Sequence, residues 1–95
     1  ILAAGLEGIR EKLEPGQPHR ENMYDYSEKD VADMGIETLP RTLSEAIDAF
    51  EADPLSRQVF GDAMYQAFVD YKRDEWNAYH THVSDWEIQR YLKFF

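Results

Sequence analysis

The sequence contains no cysteine, which excludes disulfides and thiolate-held metals and fits a reducing compartment. No apolar run approaches the roughly 20 residues that a helix needs to cross a bilayer. The first residues carry neither the basic start nor the cleavage site of a signal peptide. Basic residues are scarce: 10 Lys and Arg against 19 Asp and Glu leave a net charge of −9. Without a basic stripe the chain cannot displace counterions from a nucleic-acid backbone or an anionic membrane. A Gly-rich phosphate loop, a nucleophile elbow and a defensible Ser/His/Asp order are all missing. Alternation of apolar and polar residues, the mark of a half-buried strand, never lasts more than a few positions.

What is present is helical. The 95 residues are 43% hydrophobic and 14% aromatic, enough for a core in one domain or a piece of one. A chain of this size buries only about 60–65% of its unfolded surface, so a partner would add much to its stability. It opens on Ile1-Leu2-Ala3-Ala4, already inside a helical pattern, and we expect a piece of a longer protein. Leu2, Leu6, Ile9 and Leu13 recur at helical spacing, with Glu7, Arg10, Glu11 and Lys12 opposite, which predicts a helix over 1–14. Pro15, Gly16 and Pro18 end it. A polar loop over 15–41 follows, broken by one predicted turn from Ser27 to Met34 with Ser27 and Asp30 as its cap and Gly35 as its stop. So long a loop in so short a chain points to function or to pinning by partners.

Thr42 and Glu45 have the spacing of a capping box, in which a hydroxyl and a carboxylate each satisfy the other residue's backbone N–H. They open a predicted helix over 42–52 whose buried stripe is Leu43, Ala46, Ile47 and Phe50. Asp53 then caps, and Pro54 begins, one long helix over 54–80, roughly 25 residues and nearly 40 Å long. Its broad apolar face is predicted to be Val59, Ala63, Ala67 and Tyr71, with Phe60, Met64 and Phe68 beside them. A second stripe, Tyr65, Val69, Trp76 and Tyr79, turns partly away from that face, and two faces predict two neighbours. Gly61 falls inside this helix, at a penalty of about 1 kcal/mol relative to Ala.

The closing segment over 85–95 is a helix opened by a capping box of Ser84 and Glu87. Ile88, Tyr91, Leu92 and Phe95 make one apolar stripe, flanked by Trp86 and Phe94, while Glu87, Gln89, Arg90 and Lys93 take the wet side. A helix this short is marginal in water, so its aromatic face must pack on something. The fold class is therefore all-α, about four helices and one long loop.

Candidate chemistry is thin. His80 and His82 could offer two imidazoles to zinc, but residues two apart on a helix diverge and no third ligand has a usual spacing, which favours capping roles. Asp70, Asp74 and Glu75 lie among Lys72 and Arg73 and read as an ion-paired, solvated face. Glu7, Glu11 and Glu14 read the same way. We expect no catalytic, cofactor-binding or metal-binding residue here.

Several stretches, in order along nearly the whole chain, resemble the C-terminal end of type I glutamine synthetases. Residues 1–9, Ile-Leu-Ala-Ala-Gly-Leu-Glu-Gly-Ile, resemble the family's (L/M)-x-A-G-L-x-G-I helix. Asn22-Met23-Tyr24-Asp25 resembles its N-(L/I)-Y-(D/E/V) loop, and 39–50 its L-P-x-T-L-x-E-A-L-x-x-F segment. Glu75-Trp76, then Val83, Trp86, Glu87 and Tyr91, resemble the ending of one branch.

The resemblance implies that the chain belongs to an α+β catalytic domain of a cytoplasmic double-ring dodecamer. Such a parent uses ATP and Mg or Mn to phosphorylate the side-chain carboxylate of glutamate, and ammonia then displaces the phosphate. It also implies that the metal-binding glutamates, phosphate-binding arginines and glutamate-binding loop lie upstream of Ile1, so the piece itself would be inactive and bind no cofactor. Tyr24 matches the tyrosine that one branch adenylylates, although Met23 and Tyr26 stand where that branch has leucines. The 39–50 and 86–95 segments are more similar to the branch that is not adenylylated, which favours the competing reading of Tyr24 as an unmodified loop anchor. The resemblance further implies that Trp86, Ile88, Tyr91, Leu92, Phe94 and Phe95 reach a copy of the chain in the other ring. Related ligases accept putrescine or methylamine, and a non-catalytic acidic helical interaction module is the alternative from another class.

Overall fold

The structure, a computed structural model, describes residues 1–94. Among them helices are the only regular elements: α1 (Leu2–Arg10), α2 (Glu28–Asp33), α3 (Leu43–Ala52), α4 (Pro54–Phe60), α5 (Asp62–His80) and α6 (Asp85–Tyr91), with 3-10 turns at Met23–Asp25 and Leu92–Phe94. The chain forms two compact units, which divide between Leu39 and Pro40.

In the first unit α1 ends at Arg10, earlier than the predicted position 14. The next residues close a Schellman motif: the Leu13 N–H donates to the Gly8 carbonyl at 3.0 Å and the Lys12 N–H to Ile9 at 3.1 Å. Lys12 takes the left-handed conformation this requires, with φ of 54°. The predicted turn at Ser27 becomes α2, with both halves of its capping box made and Gly35 at φ 74° closing a second Schellman motif onto Val31 and Ala32. Val31 and Ile36, at the two positions whose apolar contact usually accompanies such an end, are both half-buried.

The second unit is built on α3 and α5. Thr42 Oγ1 accepts from the Glu45 N–H at 3.1 Å, but the Glu45 carboxylate receives the N–H of Arg41 at 2.9 Å, one residue before the expected cap. Asp53 caps α4 through Leu55 at 3.0 Å, with Pro54 at the first helical position. The long helix predicted over 54–80 is interrupted. Gly61, at φ 75° and ψ 159°, ends α4 by donating to Arg57 and starts α5 by accepting from Tyr65, both at 2.9 Å. That conformation is essentially open only to glycine, so this residue is a corner and not a weak point inside one helix.

Among the described residues the core is Ile47 of α3 with Tyr65 and Val69 of α5, and Leu43, Phe50 and Trp76 pack around them. Leu43, Ile47 and Phe50 are spaced i, i+4, i+7, and Tyr65, Val69 and Trp76 continue the matching stripe on α5. The second stripe is thus the one that packs with Ile47, apart from the exposed Tyr79, while the first face, also expected to find a neighbour, is open at Val59, Met64 and Tyr71. Ten-residue α3 can cover one stripe of α5. The choice is reinforced by Arg73, which reaches Asp48 at 2.6 Å and Glu51 at 2.5 Å across the two helices. Phe50 is the hub of a ring cluster, with centroids 5.5 Å from Phe60, 5.6 Å from Tyr65 and 5.3 Å from Phe68, all within the range where aromatic pairs attract.

Candidate functional site

Two places carry the residues singled out by the sequence, the aromatic end of the chain and the turn at Tyr24. At the end, the Ser84 N–H donates to Glu87 Oε2 at 2.7 Å, the Ser84 hydroxyl donates to the same oxygen at 3.0 Å, and the Glu87 N–H donates to Ser84 Oγ at 3.2 Å. The backbone N–H of Ser84, then its hydroxyl, hold the Glu87 carboxyl below its ordinary value of 4.5. This locks the start of α6. At the other end the helix tightens to a 3-10 turn after Tyr91.

The face so formed is open. Trp86 is 63% and Phe94 79% exposed, and Ile88, Tyr91 and Leu92 are exposed as well. The Trp86 and Tyr91 rings meet edge to face at 5.9 Å and 81°, so part of the aromatic surface is pre-ordered. Phe95, the last member of the predicted stripe, lies outside the described residues.

In the first unit Tyr24 is the middle residue of the Met23–Asp25 turn. Asn22 Oδ1 accepts from the Tyr24 N–H at 3.2 Å, and the Asn22 carbonyl from Asp25 at 3.1 Å. These bonds hold the backbone and leave the side chain 97% exposed.

The remaining candidates are structural. The Trp76 carbonyl can only accept, so His80 Nδ1, 3.0 Å away, carries a proton, and the ring stacks on Trp76 at 5.2 Å and 5°. His82 lies past the end of α5, its N–H on the Tyr79 carbonyl. Among the described residues no three His, Asp or Glu side chains converge in a way that could hold a metal ion. The described residues do not fit a metal. Lys72 pairs with Glu75 at 2.8 Å, and that hydrogen bond raises the Lys72 pKa. Asp70 accepts from Gln66.

Sequence reasoning missed the partners of Arg73 and of Arg57. Arg57 lies 4.4 Å over the Tyr65 ring and 3.0 Å from Asp62. The only cue for Arg57 was its placement four residues ahead of a glycine corner. An apolar groove of about 180 Å³ runs between α3 and α5, with Leu43, Ala46, Phe50 and Phe68 in its walls and Lys72 at its rim. Among the described residues no helix is long and apolar enough to cross a membrane.

The glutamate–methylamine ligase of Methyloversatilis universalis is 41% identical over 95 residues, covering 100% of this chain and 21% of that protein. The glutamine synthetase of Archaeoglobus fulgidus is 40% identical over 91 residues, 96% of this chain and 18% of that protein. A solved structure described as apo GmaS without ligand superposes with a TM-score of 0.76 at 36% identity, over 96% of this chain and 20% of that one. The chain thus spans about a fifth of the length of these relatives. The family model for the glutamine synthetase catalytic domain matches residues 1–91, and by that match and these identities the chain belongs to the glutamine synthetase catalytic-domain family.

Proposed function

We propose that this chain is the C-terminal helical part of an ATP-dependent glutamate–ammonia ligase and that its own contribution is packing and oligomer assembly. The carrying observation is the family match over residues 1–91 combined with relatives near 40% identity across nearly the whole chain. In the complete enzyme ATP would phosphorylate the side-chain carboxylate of glutamate, with Mg or Mn neutralising the phosphates, and ammonia would displace the phosphate. Those steps belong to residues outside this chain. We place the enzyme in the cytoplasm as a dodecamer of two rings, within the α+β catalytic domain of the family.

The open face of α6 supports the assembly role. Trp86, Ile88, Tyr91, Leu92 and Phe94 would each contribute roughly 1.5–3 kcal/mol if buried, and association entropy would consume part of that gain. Their partner in this reading is another copy of the chain. Tyr24 is proposed as an adenylylation-type position, because a nearly fully exposed phenol on a pinned turn is open to a modifying enzyme.

A second reading, ligation of glutamate to another amine, is favoured by one observation: the methylamine ligase matches the full chain at 41% identity. Assaying the complete enzyme with ATP and glutamate against ammonium, methylamine and putrescine separates the two by which amine drives ADP release. Ammonium is expected to do so; preference for methylamine or putrescine would replace the first reading with the second. The pure 95-residue chain is expected to show no turnover. Removing 86–95 from the complete enzyme is expected to split the double ring in sedimentation, and an unchanged profile would end the assembly proposal.

A further inference from the structure

We draw no further inference here: the strongest candidate, the apolar groove between α3 and α5 walled by Leu43, Ala46, Phe50 and Phe68, is an unpartnered face and nothing in the structure shows what covers it.

Discussion

Replacing Gly61 with alanine separates a cornered chain from a continuous helix by the sign of its effect. If 54–80 were one helix, Ala would add about 1 kcal/mol of stability over Gly. At φ 75° and ψ 159° an L-residue instead carries backbone strain of about 1–3 kcal/mol. Beyond its two chain neighbours no heavy atom lies within 4 Å of the added Cβ, so collision with the rest of the chain adds nothing. Narrowing of the unfolded ensemble returns about 0.4–1 kcal/mol. The net expectation is a loss of up to about 2.6 kcal/mol and no gain, read by thermal unfolding of the purified chain followed by circular dichroism. For a domain of this size each kcal/mol shifts the melting temperature by about 4–8 °C. A higher melting temperature and more helix for Gly61→Ala would refute the corner. The Phe50–Phe60 ring contact at 5.5 Å, which depends on α4 turning back, would fall with it.

Ile47, 5% exposed, sits at the centre of the small core, and Ile47→Ala is expected to lower stability by about 2–4 kcal/mol. Met64→Ala on the open side of α5 should stay within about 0.5 kcal/mol; equal losses in urea unfolding would mean the buried face has been misassigned. Arg73 holds α3 to α5 through Asp48 and Glu51, so the stability gap between wild type and Arg73→Met should narrow as salt rises towards 1 M, where the screening length is about 3 Å. A gap indifferent to salt would show that the pairing contributes nothing. The Glu87 carboxyl is held below its ordinary 4.5, first by the Ser84 N–H. Its stabilising effect is therefore fully present above about pH 4.5 and lost as the pH falls through the lowered folded-state value. Acid titration of helicity should show the advantage of wild type over Glu87→Gln shrinking in that window; a constant difference down to pH 2 would contradict the capping box.

The residues by themselves determined the features that are made within one turn of chain. A hydroxyl or carboxylate reaches an N–H two or three residues away whatever the rest of the molecule does, so the caps at Ser27, Thr42, Asp53 and Ser84 form at the positions their spacing indicates. The all-helical class was legible for the same reason, because amphipathic period is a local property. The apolar face of α6 was likewise visible as a stripe, although the last residues after Tyr91 tighten to a 3-10 turn.

Tertiary structure decided the rest. Gly61 is compatible with a helix interior or with a corner, and the choice depended on bringing Phe60 against Phe50 and Phe68. Helix α5 carries apolar residues on two sides, so its pattern could not say which side would be inner; contact with Ile47 selected Tyr65 and Val69. Arg73 had acidic neighbours on its own helix, yet it found Asp48 and Glu51, which stand 25 and 22 residues earlier. Spacing along a chain specifies what a residue meets within a few positions, whereas partners across a fold follow from the packing of whole helices.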